Sequence, residues 1–244
     1  MGRWSALVAQ QFLERVSAPP AGRWLDLGCG TGILSAAVGR WGGPEVYGVD
    51  PSKGFVAHAA ATVRGRFTVG DAQRLPFRDG SFGAVVSALV LNFIPDLPAA
   101  LAGVRRVLGP DGVVAAYVWD YGGRMQFLRT FWDAAFVIDP ASAALDEGKK
   151  FTVCRPERLE RSFADAGFAD ITTWAIDIPT RFRDFDDFWL PFLGGTGPAS
   201  GFVMTLDEER RSDLRDRLRA ALPIAADGSI DLIARAWAVR ATRS

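Results

Sequence analysis

The 244 residues include one histidine and two cysteines. Two cysteines cannot build a disulfide framework, and Cys29 lies inside a glycine-rich turn that a bridge would obstruct. No His and Cys group has metal-ligand spacing, so no metal centre is expected. His58 falls on the helix after the second strand, away from the glycine-rich turn, and reads as a residue without a chemical role. Net charge is also missing, because 28 Lys and Arg balance 28 Asp and Glu. That balance gives no electrostatic reason to expect nucleic acid or an anionic membrane as partner. No apolar run approaches the roughly 20 residues of a membrane-spanning helix. The amino terminus lacks a basic-plus-apolar signal pattern. Met1-Gly2 opens like a myristoylation site, but Ala6 occupies the position that needs Ser or Thr. A reduced, cytoplasmic protein is expected. No internal repeat or low-complexity tract is visible.

What is present is a 49% hydrophobic fraction, ample for the core of one embellished domain. The apolar run Leu25-Asp26-Leu27 leads into Gly28-Cys29-Gly30-Thr31-Gly32, and a helical segment follows. The spacing is Gly-x-Gly-x-Gly. Ile33 stands where a dinucleotide site needs its third glycine to bring a helix N-terminus to a pyrophosphate. A bare turn of this kind suits a ligand without phosphates, lying against the main chain. Asp26 can point a carboxylate toward that floor. Residues 45–50 alternate like a strand and end in Asp50, about 20 residues beyond the glycines, where nucleotide-binding folds place a ribose-binding carboxylate. Ser52 is placed to cap a helix after Pro51. A third strand over 66–70 ends at Asp71-Ala72-Gln73. Leu75-Pro76-Phe77 and the turn Arg78-Asp79-Gly80-Ser81 follow. The apolar run 82–91 predicts a buried parallel strand, and the turn Leu108-Gly109-Pro110-Asp111-Gly112 feeds another over 113–119. Alternating strands and helices predict an α/β fold with a doubly wound parallel sheet.

These motifs, carried by residues 20–120, resemble the class I S-adenosylmethionine-dependent methyltransferases, in particular the bacterial small-molecule branch that includes the quinone-biosynthesis enzymes. The resemblance implies a Rossmann-like seven-stranded sheet, mostly parallel with an antiparallel last strand, plus helical cap insertions. It implies S-adenosylmethionine as cofactor and S-adenosylhomocysteine as product. Gly28, Gly30 and Gly32, with Cys29 and Thr31 between them, would line the methionine and ribose portion. Asp26 would hold the methionine end, Asp50 the ribose hydroxyls, and Pro51 or Ser52 the adenine face. Asp71 would accept from the adenine amino group. The Ala72 main-chain N–H would reach a ring nitrogen, beside Gln73. The main chain at Ser87, Ala88 and Leu89 would receive the methionine ammonium. Members often carry histidines just after that strand; here Asn92-Phe93 stand instead.

The expected layout is a single domain over 1–244. It has an N-terminal cap helix within 1–20, a cofactor-binding core over 21–120, and substrate-cap insertions at 121–155 and 181–224. Residues 4–16 form an amphipathic helix stopped by Pro19-Pro20; its Trp4 and Ser5 would touch the cofactor, or Trp4 docks on the core. Residues 125–138 read as helix, 139–154 as irregular, 157–166 as helix and 171–180 as the sixth strand. Residues 194–198 read as a flexible break, 206–222 as a charged helix and 229–239 as the last strand. Ligands of open parallel sheets bind beyond the strands' carboxyl ends. There the chain offers Asn92, Phe93, Trp119, Tyr121, Met125, Trp132, Trp189 and Phe192, an aromatic set suited to an apolar or aromatic small metabolite. For any single one of these aromatics core packing is the favoured reading, and the pocket reading rests on the group. The expected reaction is in-line methyl transfer, with Asn92, Asp120 and Tyr121 as the candidates if a proton acceptor is needed. Asp120 can equally cap the following segment.

Other classes stay open. A macromolecule methyltransferase is disfavoured because the chain has neither Asp/Asn-Pro-Pro-Tyr after the fourth strand nor a Pro-Cys pair. A non-methylating binder of the same cofactor, cyclase-like or sensing, is compatible with the lack of an obvious base. A nicotinamide-dependent oxidoreductase is disfavoured by Ile33. The oligomeric state is not legible.

Overall fold

The computed structural model describes residues 2–16, 22–41, 44–194 and 197–243. In chain order it contains α1 (Gly2–Val16), β1 (Gly22–Leu27), α2 (Ile33–Arg40), β2 (Pro44–Asp50), α3 (Lys53–Thr62), β3 (Arg66–Val69), β4 (Phe82–Ala88), α4 (Leu97–Val107) and β5 (Leu108–Trp119). Then come α5 (Gln126–Ile138), α6 (Glu147–Lys150), α7 (Pro156–Asp165), β6 (Ala169–Phe182), α8 (Phe185–Trp189), α9 (Pro198–Thr205), α10 (Glu208–Ala221) and β7 (Ile230–Thr242).

The seven strands form one sheet in the order β3-β2-β1-β4-β5-β7-β6. The pairs from β3 through β5 are parallel. β7 lies between β5 and β6 and runs antiparallel to both. The chain winds outward from β1 to β3, then returns to place β4 on the other side of β1. The order therefore reverses at the β1/β4 pair, and such a switch point opens a crevice at the strands' carboxyl ends.

Local chemistry explains the helix starts. The Ser52 hydroxyl accepts from the Phe55 N–H at 3.3 Å, and Asp96 accepts from the Ala99 N–H at 2.9 Å. Asp184 and Asp207 do the same for α8 and α10. Each side chain satisfies one of the orphan donors of a first helical turn. Buried apolar faces, such as Ala100, Leu101, Val104 and Val107 on α4, supply the hydrophobic drive.

Three expectations need correction. The apolar run 82–91 is not one strand: β4 stops at Ala88, because Leu89 takes a left-handed conformation (φ +61°), and a short 3-10 turn covers Leu91–Phe93. The 108–112 turn belongs to β5 itself, as an irregular start with Asp111 at φ +57°. Residues 139–154 contain a 3-10 helix (Pro140–Ala144) and α6, capped by Asp139 and Asp146. Pro19-Pro20, and Gly195-Thr196 of the anticipated break, lie outside the described residues.

The chain divides into two compact units. The first comprises Met1–Val118, Arg155–Ile176 and Ala236–Ser244; the second comprises Trp119–Cys154 and Asp177–Arg235. The core of the first is built on Trp24, Leu25, Leu27, Val85, Val86, Leu101, Ala115 and Tyr117, all essentially sequestered from solvent. The core of the second is aromatic: Phe131, Trp132, Phe188, Phe192 and Phe202 are buried. Among the described residues no helix is long and apolar enough to cross a membrane.

Candidate functional site

At the carboxyl ends of β1, β4 and β5 the first unit encloses a cavity of about 140 Å³. Its lining includes Ser5 from α1, Asp26 and the turn from Gly28 to Thr31, Ala88 and Leu89 from the end of β4, and Tyr117 from β5. A larger cavity of about 790 Å³, lined by Arg40, Glu45, Arg64 and Arg66, lies at the opposite end of β2 and β3. Volume alone would favour it. It sits at the amino ends of the strands and the C-terminal ends of α2 and α3, where no helix N-terminus or switch point meets a ligand, so the smaller cavity is the candidate site.

The glycine turn is held by the end of β2. The Gly28 and Cys29 N–H groups both donate to the Val49 carbonyl, at 2.8 and 3.1 Å. The Gly30 N–H donates to Asp50 Oδ2 at 3.0 Å, and the Ser52 N–H donates to Asp50 Oδ1 at 2.8 Å. Asp50 thus binds the turn to the start of α3 while each carboxylate oxygen retains a lone pair for a further donor. Gly28 has φ +70°, and a Cβ there would fall 2.5 Å from Val90 Cγ2. Gly30 has φ +52° and open space where its Cβ would be, so its bare face is available to a ligand.

Asp26 is buried and accepts from the Ser35 hydroxyl at 2.6 Å. Burial pushes its carboxyl up to about 7; the Ser35 bonds oppose the shift, and the nearby Asp50 charge adds to it. Burial likewise pushes the Cys29 thiol up to about 12, so it stays protonated and inert. Asp71 is exposed and accepts from the Gln73 N–H at 2.9 Å and from Gln73 Nε2 at 3.1 Å. Those bonds hold its carboxyl below the usual range. Gln73 Oε1 accepts from the Asp96 N–H at 3.1 Å, tying the Asp71-Ala72-Gln73 turn to the start of α4.

Other anticipated residues have different surroundings. The Ser87 hydroxyl donates to the Leu27 carbonyl at 2.8 Å, locking β4 to β1, and it does not line the cavity. Trp4 is half-buried on α1, and Pro51 is exposed. Asn92 has both amide atoms buried without a hydrogen-bond partner among the described residues, and Phe93 beside it is exposed.

Trp119, Asp120, Tyr121, Met125, Trp132, Trp189 and Phe192 belong to the second unit and are all buried. Asp120 accepts from the Arg124 N–H at 2.8 Å and organises its own turn. The Tyr121 hydroxyl is raised by burial and by the neighbouring Cys154 and Glu147, so it keeps its proton. Phe192 stacks on Phe131 at 4.5 Å and meets Trp189 at 6.3 Å. Trp132 Nε1 donates to the buried Glu147 carboxylate at 2.6 Å. Among the described residues no group of three or more His, Cys, Asp or Glu could hold a metal ion.

Two polar residues at the cavity's edge were not anticipated. Ser35 is the partner of Asp26, and Tyr117 is one of the lining residues. Tyr117 carries the one side-chain hydroxyl in the apolar stretch 113–119, which is the signal that could have found it.

An α/β sheet with a switch-point cavity, a bare glycine turn and carboxylates ending β1 and β2 defines a nucleoside-binding fold without a phosphate cradle. A family model described as a methyltransferase domain matches residues 25–116. The demethylmenaquinone methyltransferase of Staphylococcus aureus is 29% identical over 163 residues, covering 60% of this chain and 68% of the relative. Among solved structures, the YcgJ protein of Bacillus subtilis aligns over 100% of this chain and 99% of its own, with TM-score 0.61 and 20% identity. The phosphoethanolamine N-methyltransferase 2 of Haemonchus contortus, solved with S-adenosylhomocysteine, aligns over 97% of this chain and 52% of its own, with TM-score 0.61 and 19% identity. The matched segment is a methyltransferase domain, and the chain resembles the class I S-adenosylmethionine-dependent methyltransferases, their quinone-methylating members included.

The lining fits that cofactor. Asp26 offers an acceptor to an ammonium and Gly30 leaves its face bare; Asp50 does not line the cavity itself but holds the Gly30 N–H beside it, with lone pairs left for further donors. The hydroxyl of the lining residue Tyr117 has no hydrogen-bond partner among the described residues.

Proposed function

We propose that the protein methylates a small apolar or aromatic metabolite, with the segments 121–155 and 181–224 selecting it. The observation that carries this reading is the composition of the second unit, whose core is a run of mutually packed aromatic side chains. A balanced net charge gives no general attraction to a polyanion. The relative's name points the same way, since it names a quinone and not a macromolecule as the methyl acceptor.

The cofactor, when bound, supplies an electrophilic methyl group on a sulfonium. The chain's share is to hold and orient. Asp26 takes the ammonium of the amino-acid tail, Asp50 takes the ribose hydroxyls, and Asp71 with the Ala72 N–H takes the adenine edge. Asp120 is committed to its own turn and Tyr121 keeps its proton, so neither serves as a base. The acceptor atom of the substrate therefore gives its proton to solvent before transfer, as an acidic enol does near neutral pH. Asn92 then serves as a neutral amide that holds a substrate oxygen rather than as a proton acceptor. Alignment of the two reactants supplies the acceleration. Two unpaired thiols, Cys29 and Cys154, fit a reducing compartment, and we place the enzyme in the cytoplasm.

The test is incubation with methyl-labelled S-adenosylmethionine and a fractionated cell extract. Label in an organic-soluble small molecule supports the proposal. Label in protein or nucleic acid overturns the substrate class. No label in any fraction, with cofactor binding confirmed, favours the non-methylating role.

A further inference from the structure

Tyr117 is held in place by packing that does not need its hydroxyl. Its ring is fully buried in β5, beside Ala88 in the parallel register with β4. Phe12 of α1 meets it edge-on, with ring centroids 4.9 Å apart. Its carbonyl accepts from the Leu89 N–H at 2.8 Å, which ties it to the strained residue that ends β4. A phenylalanine could make all of these contacts. Yet the hydroxyl is there, shielded from solvent and without a hydrogen-bond partner among the described residues.

A buried, unpartnered hydroxyl lowers the stability of a fold, so its position calls for an explanation in function. Other unpartnered polar atoms exist, including the Trp174 indole and the Thr180 hydroxyl. Tyr117 alone among them lines the cofactor cavity, together with Asp26, the glycine turn, Ala88 and Leu89. Burial, with the Asp26 charge nearby, raises the phenol so that it keeps its proton. It can therefore donate.

We infer that the Tyr117 hydroxyl donates a hydrogen bond to the α-carboxylate of the cofactor's amino-acid tail, while Asp26 faces the ammonium of the same tail. The inference rests on the cofactor assignment and adds a residue to it. The division of labour follows from charge: an ionised carboxylate only accepts, so Asp26 serves the cationic group, and a neutral phenol can serve the anionic one. Stability given up in the empty protein is then recovered when the ligand binds.

The experiment compares wild type and Tyr117→Phe by calorimetric titration with two ligands, S-adenosylhomocysteine and 5′-methylthioadenosine. The second keeps the nucleoside but lacks the amino-acid tail. The ligand-free variant should melt at the wild-type temperature or above, since it loses an orphaned hydroxyl. Its Kd for S-adenosylhomocysteine should rise about 5- to 30-fold, in the range of a hydrogen bond to a charged group. Its Kd for 5′-methylthioadenosine should stay within about twofold of wild type. Unchanged S-adenosylhomocysteine affinity would overturn the inference, as would an equal loss for both ligands, which would mark Tyr117 as packing alone. Wild type binding neither ligand would overturn the cofactor assignment itself, and the inference with it. Should the variant fold poorly, the methyl ester of S-adenosylhomocysteine on wild type decides. Esterification removes the anionic acceptor and should weaken binding more than tenfold, and equal affinity for ester and acid would refute the contact.

Discussion

Asp26 is the residue whose surroundings say most about how this site works. The groups facing it are Ser35, Asp50, Cys29 and Tyr117, and none is a cation. In the fold its carboxyl holds a proton up to about pH 7, whereas an unfolded aspartate releases it near 4. The ligand-free fold thus loses stability as pH rises from about 4 through 7, by an amount on the order of 4 kcal/mol. Removing the charge should reverse this: Asp26→Asn should melt higher than wild type at pH 8 and close to it at pH 5. Binding has the opposite sign. An ammonium beside Asp26 favours the ionised form, so S-adenosylhomocysteine affinity should fall up to about tenfold from pH 8 to pH 6. The variant should show no such slope in calorimetric titrations. A pH-independent wild type would remove Asp26 from contact with the tail. Gly30 makes a second, simpler prediction. Its face is open and its φ is +52°, so Gly30→Val should abolish S-adenosylhomocysteine binding while circular dichroism still reports the native secondary structure. Asp50→Ala is a less clean probe, because Asp50 also holds the Gly30 and Ser52 N–H groups. It should weaken binding by about 1.5–3 kcal/mol and lower the ligand-free melting temperature as well.

At the scale of elements, what was legible in the sequence is what local chemistry decides. The strand-end acids Asp26 and Asp50, the Ser52 cap and the Asp71-Ala72-Gln73 turn could be placed because each combines an apolar run with a polar terminator. The end of β4 was not legible. Leu89 and Val90 extend the apolar run, and only tertiary context forces Leu89 into a left-handed conformation. Tyr117 was missed because a continuously apolar, fully buried stretch does not show which residue turns toward a cavity; only its lone side-chain hydroxyl marks it. The aromatics of the second unit were legible as a group, yet their mutual packing was not. α5 and α6 are a case in point: Trp132 on α5 donates to Glu147 on α6 in a buried pair, and burial raises that carboxyl. Trp132→Phe should therefore destabilise the protein by about 2–3 kcal/mol in urea unfolding, because it leaves Glu147 buried without its donor. Trp132→Phe combined with Glu147→Leu should recover part of that loss. A single variant as stable as wild type would show that the indole contact adds nothing to stability.

At the scale of the whole molecule, the residues assigned to the cofactor and those proposed for substrate choice fall largely into different compact units. Asp26, the glycine turn, Asp50, Asp71, Ala88, Leu89 and Tyr117 belong to the first, and the aromatic set belongs to the second. Neither unit is one continuous stretch of chain: the first is drawn from three segments and the second from two. Three of the four boundaries fall inside β5, β6 and β7, and only the one at Cys154/Arg155 lies between elements, so the division is better probed by ligand than by excision. A ligand that binds only the folded form stabilises whatever unfolds together with its site, by RT ln(1 + [L]/Kd). Local openings of regions that do not share the site keep their own free energies. Saturating S-adenosylhomocysteine should therefore slow hydrogen exchange in the first unit, at residues 26–33, 50–55, 71–73 and 87–89. Residues 126–138 and 208–221, in α5 and α10, should keep the rates of the ligand-free protein. Uniform slowing across both sets would mean that the two units open as one cooperative body. A substrate added afterward should then slow exchange at 126–138; if it leaves that helix untouched, the second unit does not select the substrate and the choice lies with Asn92 and its neighbours in the first.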